Sequence, residues 1–150
     1  MKQRAYPYRV EGNKRYTFVS EGRTQIIKVV DFGPTSTENL FNIGFGDLAP
    51  DGSLDDMAKS NNGDIVKVLS TVVLIIRDFT ERFPERKIIF TGSTEERTKL
   101  YARILKMHIG ELHREFIISA LTRTPTSYKE VPFKSQDAFT YFAFLIKKIQ

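Results

Sequence analysis

Gly92, Ser93 and Thr94 follow the apolar run "KIIF" and open a stretch of helical periodicity, with Arg97 three residues after Thr94. Small residues at a helix start leave backbone N–H groups open to a phosphate or carboxylate, and the helix dipole favours negative charge there. A guanidinium in the first turn could clasp the same anion through two parallel hydrogen bonds. The turn has a second reading. Ser93 and Glu96 have the spacing of a capping box, in which each side chain satisfies an otherwise orphaned backbone N–H. Projected at about 100° per residue, Tyr101, Ile104, Leu105, His108 and Leu112 share one helix face, and Arg97 falls on that face below Tyr101. Arginine keeps its proton, so in this position it needs an anionic partner. That partner is either a ligand or a carboxylate of the acidic stretch, Asp47, Asp55, Asp56 or Asp64, unless the long stem of Arg97 bends to carry its charge to water.

Other constellations are weaker. In "GDLAPDGSLDD", Asp51 and Gly52 match the fifth and sixth positions of a calcium loop counted from Asp47. Ala49 and Ala58 stand where the third and twelfth positions need oxygen ligands, which excludes an EF-hand. A looser Mg²⁺ site on Asp47 and Asp64 could form, since Mg²⁺ takes one or two carboxylates plus water; no other cofactor is expected. His108 and His113 are five apart and lack the i, i+4 zinc spacing, and His108 on the apolar face reads as a packed core histidine. There is no cysteine, no G-x-S-x-G and no G-x-x-x-x-G-K-[ST], which argues against the common serine and cysteine hydrolases and against a Walker-type P-loop.

Charge is unevenly spread. Residues 1–30 carry seven basic and two acidic side chains, residues 31–64 one basic and seven acidic, and residues 65–150 fifteen basic and nine acidic. Basic and aromatic residues interleave in "YPYRVEGNKRYTF", where Arg9, Lys14 and Arg15 could contact phosphates while bases stack on tyrosines. Lys99, Arg103 and Lys106, with Arg114, line the second helix opposite its apolar face and form another basic surface. No recognised DNA- or RNA-binding motif accompanies them.

The elements that must carry these residues can be read from periodicity. "RYTFVSEGRTQIIKVVDF" predicts a hairpin, with Gly22 expected to supply a positive φ in its turn. "LFNIGFGDL" alternates, with Phe41, Ile43 and Phe45 on one face, and "APDGSLDDMAKSNNGD" reads as a long loop. A helix is predicted over residues 64–82, N-capped by Asn61 or Asn62 and stopped before Pro84. Ile65, Val68, Leu69, Val72, Val73, Ile76, Phe79 and Phe83 form its apolar half. "KIIFTG" is then a strand, "STEERTKLYARILKMHIGELHREF" a helix, "EFIISAL" a strand and "AFTYFAFLIKK" a buried strand. The opening residues lack an apolar leader, and the longest aliphatic run, "VVLII", is too short to span a bilayer, so a cytoplasmic protein without membrane contact is expected.

Taken in order, "FNIGFGD", "NNGDIVKVLSTVV", "FTERFP" and "GSTEERTKLY" resemble the signature blocks of a family of uncharacterised small bacterial proteins of about this length. The resemblance runs from "YTFVSEG" to "YFAFLIKK". It implies a stand-alone domain and no known activity. It also implies a shared set of polar positions: Gly46, Asp47, Asn61, Asn62, Gly63, Asp64, Gly92, Ser93, Thr94, Arg97 and Tyr101. If the fold gathers them, acids, amides and an arginine would meet in one pocket. The expectation is therefore a single α+β domain over residues 1–150, with a curved, mostly antiparallel sheet on the residue 64–82 helix and the second helix flanking it. Its expected function is a small binding module for a polyanion, nucleic acid foremost. The alternatives are an enzyme or sensor for a phosphorylated small molecule, using Arg97 and the Gly92–Thr94 turn, and a module that binds a protein partner.

Overall fold

A computed structural model of the chain describes residues 5–55, 62–92 and 94–149. The fold is α+β, and among the described residues it has nine strands, mostly antiparallel, and two long helices. It resolves into two compact units. The first comprises Met1–Gly33 with Ile43–Glu81, and the second Pro34–Asn42 with Arg82–Gln150.

In the first unit, strands β1 (Tyr8–Glu11), β2 (Arg15–Glu21) and β3 (Gln25–Pro34) form a meander. β4 (Leu40–Leu48) follows β3 in the strand order, and β5 (Leu54–Asp55) is a two-residue partner of β4. The register pairs Glu11 with Arg15 and Glu21 with Gln25, so both hairpins turn through three residues. In the first of them Gly12 takes φ 66°, a conformation that side chains with a Cβ rarely adopt. Gly22 does not have the positive φ expected of it. It is needed for closeness instead: a Cβ there would stand 1.7 Å from the backbone oxygen of Asn62.

Helix α1 (Ile65–Arg82) lies on this meander through Val68, Leu69, Val72, Ile76 and Phe79, all buried. Phe79 stacks on Phe32 of β3 with ring centroids 3.9 Å apart, and Tyr16 of β2 meets Phe32 edge-on. The buried face is turned from the projected one. Ile65 is exposed, whereas Ile75, Ser70, Thr71 and Thr80 are buried. The two threonine hydroxyls can be buried because each finds a carbonyl one turn back, Thr71 at Lys67 and Thr80 at Ile76. Asn62 does not cap the helix, because its side chain bonds to the β2–β3 hairpin; Asn61 lies outside the described residues.

In the second unit, the first residues of β4, Leu40 to Asn42, pair in parallel with β6 (Lys87–Thr91). β6 pairs with β9 (Ala143–Lys148), β9 with β7 (Phe116–Arg123), and β7 with β8 (Tyr128–Pro132), all antiparallel. Helix α2 (Glu95–Glu115) buries Tyr101, Ile104, Leu105 and Leu112 in this unit's core with Phe90, Phe116 and Phe144. The segment expected to be one strand from Ala138 onward divides. Ser135–Thr140 forms a 3₁₀-helix, and the strand starts only at Ala143. Ser135 and Asp137 favour such a turn, and the Asp137 N–H donates to the Lys134 carbonyl. β8 falls in a stretch for which no element was expected. Its alternation is masked by charge, as befits a strand whose residues are mostly exposed.

Candidate functional site

The turn at Gly92 is built around the start of α2. Thr94 is the N-cap, with extended backbone at φ −136° and ψ 166°, and its Oγ1 accepts from the Arg97 N–H at 3.2 Å. The cap is therefore one residue later than the expected Ser93 with Glu96. That register places Arg97 where a capping box needs an acceptor side chain, so the box does not form; Ser93 itself lies outside the described residues. Thr98 Oγ1 and the Thr98 N–H both donate to the Thr94 carbonyl at 3.1 Å. Gly92 presses on this turn: a Cβ would stand 2.3 Å from the Thr98 nitrogen and 2.6 Å from its Oγ1. Only glycine lets the end of β6 lie this close to the helix start.

Beside this turn is a cleft of about 490 Å³. Thr91, Gly92 and the N-cap Thr94 line it, with Glu95, Thr98, Lys99 and Ala102 of α2. Arg123 at the end of β7 and the segment Ala138 to Phe142 complete it. Its charge comes from three directions. The start of a helix of 21 residues contributes the equivalent of about half a positive charge. Lys99 and Arg123 add full charges. Lys99 Nζ is 3.4 Å from Glu95 Oε1 on the surface, a pair easily exchanged for another anion. The Arg123 guanidinium lies over the Phe142 ring at 5.2 Å, and among the described residues no carboxylate pairs with it.

The remaining lining is hydroxyl and aromatic. Thr91 Oγ1 donates to Asn42 Oδ1 at 3.0 Å, and Thr140 Oγ1 donates to the Asp137 carbonyl at 2.7 Å. Each oxygen keeps acceptor capacity, and each can rotate its proton toward a better acceptor. Tyr141 is buried, and its hydroxyl accepts from the Lys134 N–H at 3.2 Å. Phe142 rests on Tyr128 at 4.6 Å between centroids. Phe139 is 50% exposed, with Lys106 Nζ 5.4 Å from its ring centroid.

Of the polar residues expected to share one pocket, Asp47, Asn62 and Asp64 belong to the first unit, and Thr94, Arg97 and Tyr101 to the second. Asp47 takes Lys28 Nζ at 2.6 Å, with side chains 17% and 8% exposed. Asn62 holds the β2–β3 hairpin. Its Nδ2 donates to Ser20 Oγ at 2.9 Å and to the Thr24 carbonyl at 2.8 Å, and its Oδ1 accepts from the Thr24 N–H at 2.9 Å. Asp64 Oδ2 accepts from the Tyr6 hydroxyl at 2.5 Å and from Ser20 Oγ at 2.6 Å. Burial works against the Asp64 charge, but these hydroxyl donors outweigh it and hold the carboxyl below its ordinary value. Burial, then the bond to Asp64, pushes Tyr6 up. Among the described residues no three acidic, histidine or cysteine side chains gather as they would around a metal.

In the second unit, Tyr101 is buried with its ring 5.4 Å from Phe90, and Arg97 is half-buried. Of the expected site residues, Thr94 and Lys99 line the cleft. Arg9 and Lys14 are exposed on the β1–β2 hairpin, whereas Arg15 is committed to Asp31 through two bonds of 2.8 and 2.9 Å and to the Gly52 carbonyl. Lys99, Arg103 and Lys106 are all exposed along α2. His108 is 4% exposed, with Nδ1 2.7 Å from Glu111 Oε1. Arg123, Phe139, Thr140 and Phe142 also line the cleft and are not among the residues expected from the sequence. The signal available was turn chemistry at Ser135 and Asp137 before "AFTYF", which argues against a strand spanning that run.

A family model, described as a family of unknown function (DUF6934), matches residues 2–149. The chain belongs to this family. The resemblance carried by the FGD, NNGD and GST blocks is thereby borne out, and the match extends over nearly the whole sequence. Searches of curated proteins and of solved structures give no match. Family membership brings no activity with it, so any function must be argued from the cleft. Among the described residues no helix is long and apolar enough to cross a membrane.

Proposed function

We propose that this protein is a binding module for a phosphorylated small molecule, held in the cleft at the start of α2. The observation that carries the reading is the convergence of the helix start, Lys99 and Arg123 on one concavity in which Arg123 has no carboxylate partner among the described residues. A phosphate monoester there would take N–H donors from the helix start, a bidentate pair from Arg123 and a point charge from Lys99. The threonine hydroxyls supply further donors. The size of the cleft is within the range of small-ligand sites. Among the described residues the lining has one acidic side chain, Glu95, already paired to Lys99, and no histidine. This favours binding or sensing over acid–base catalysis.

The test is a thermal-shift panel of phosphosugars, nucleotides and inorganic phosphate against the wild type and Arg123→Ala. A ligand at about 100 times its dissociation constant stabilises by about 2.7 kcal/mol, enough for a rise of several degrees. The account expects that rise in the wild type and its loss in the variant; no rise with any phosphorylated compound would overturn it.

A second reading, binding of nucleic acid, is favoured by one observation: Lys99, Arg103 and Lys106 are all exposed on α2, and Lys99 also lines the cleft. A strand bound there would lose affinity steeply with salt, and neutralising the three residues would flatten that slope. Absence of binding to oligonucleotides at low salt would remove this reading.

A further inference from the structure

Phe139 is a large apolar side chain kept half outside. It belongs to the 3₁₀-helix whose Ala138 is wholly buried, so that segment is anchored, and its ring projects where it lines the cleft. Lys106 stands near the ring but leaves 50% of the residue exposed. Phe142, also in the lining, has Tyr128 and the Arg123 guanidinium against it. Of the two phenylalanines, Phe139 is therefore the one with open ring surface. The same lining holds Thr94, Lys99 and the helix start. The cleft thus combines cationic groups with exposed aromatic surface, and its volume of about 490 Å³ is far more than a phosphate group fills.

We infer that the ligand carries a planar heterocyclic base as well as its phosphate, and that the cleft takes a nucleotide whose base lies on Phe139. This rests on the anion-binding reading above and adds the class of ligand. Every base has a π-face, and stacking on an aromatic side chain is tolerant of which base it is. A sugar phosphate would satisfy the cationic groups and leave the ring of Phe139 wet. A nucleotide covers both. Its base also lies within reach of Lys106, which can turn from Phe139 to a base carbonyl or to the ligand's ring face.

The experiment is calorimetric titration of the full chain with the four common nucleoside 5′-monophosphates, ribose 5-phosphate and inorganic phosphate. It is repeated on Phe139→Ala and on Phe139→Trp, which enlarges the stacking surface. Because Phe139 is half exposed, its truncation leaves the core intact. In the wild type at least one nucleotide is expected to bind about tenfold or more tightly than ribose 5-phosphate. Phe139→Ala should abolish that difference while leaving ribose 5-phosphate affinity unchanged, and Phe139→Trp should retain it. Equal affinities in the wild type, or an equal loss for both ligands in Phe139→Ala, would overturn the base inference and leave the anion reading standing. No binding of ribose 5-phosphate, phosphate or any nucleotide would overturn both. A short 5′-phosphorylated oligonucleotide distinguishes the source of the base. Tighter binding than the monophosphate, lost in Phe139→Ala, assigns the platform to a terminal nucleotide of a strand; equal or weaker binding assigns it to the free nucleotide.

Discussion

Replacing Gly22 by alanine should unfasten the β2–β3 hairpin from the residues that precede α1. The added Cβ would stand 1.7 Å from the Asn62 carbonyl oxygen, 2.7 Å from its carbonyl carbon and 2.9 Å from Cγ. Backbone and a buried side chain are both in the way, so no rotamer change relieves the clash. An ordinary carbon–oxygen contact needs well over 3 Å, which forces Asn62 or the hairpin to retreat by more than about 1 Å. That displacement breaks or bends the Arg23 N–H bond to the Asn62 carbonyl at 2.9 Å, and the Asn62 side-chain bonds to Thr24 and Ser20 between 2.8 and 2.9 Å. At about 1 kcal/mol per bond lost, with a further penalty for each group left buried and unsatisfied, the cost is about 3–4 kcal/mol. Urea unfolding followed by circular dichroism measures it. Gly33→Ala is the control, because nothing lies within 4 Å of the position its Cβ would take. It should stay within about 0.5 kcal/mol of the wild type. If Gly22→Ala matched that control, the close approach of the hairpin to Asn62 would be refuted.

Two further outcomes follow from the same geometry. Asp64 has its carboxyl value lowered, with the Ser20 and Tyr6 hydroxyls overcoming burial, so folding favours its ionised form. That stability is fully present above the ordinary carboxylate value near pH 4 and is lost as pH falls through the lowered folded value. Urea midpoints measured from about pH 6 down to about pH 2 should therefore fall more steeply in the wild type than in Asp64→Asn, and equal slopes would contradict this. At the cleft, Glu95 competes with any bound anion for Lys99. Glu95→Gln should tighten phosphate-ester binding a few-fold, about the value of a surface ion pair, and calorimetry showing weaker binding would contradict the placement of the anion.

The parts of the fold legible in the sequence are those where one face is apolar and the other polar. The alternation of Leu40–Leu48 and the 3.6-residue period of both helices survive in the structure because burial selects residues in that pattern. β8 was not legible, since "YKEVP" is almost wholly exposed and nothing selects for alternation there. "AFTYF" misled because aromatic density resembles a buried strand, whereas Phe139 is half exposed and Phe142 half-buried beside Tyr128 and Arg123. Gly22 shows a third kind of limit. Sequence says that a side chain is missing, but only coordinates say whether φ or a neighbouring atom forbids it.

The lining of the candidate cleft is legible in part for a similar reason. The turn after Gly92 stands out in the sequence, and Thr94 and Lys99 line the cleft. Arg97 drew notice because helical projection put a charge on an apolar face. Arg123 did not, because at the end of a strand in a polar stretch it looks like ordinary surface. Its significance lies in what surrounds it in space, namely the start of α2 and the segment after the 3₁₀-helix. Among the acids and amides of the family blocks, Asn62 and Asp64, with Tyr6 and Ser20, tie the β2–β3 hairpin to the residues leading into α1.

The measurement that bears most directly on the cleft is a backbone-amide NMR titration of the full chain with ribose 5-phosphate. The account predicts the largest shifts at Gly92, at Thr94 to Lys99 and at Arg123, saturating with one site, and their loss in Arg123→Ala. Saturable shifts centred on Arg9 and Lys14, or no shifts at all, would contradict it.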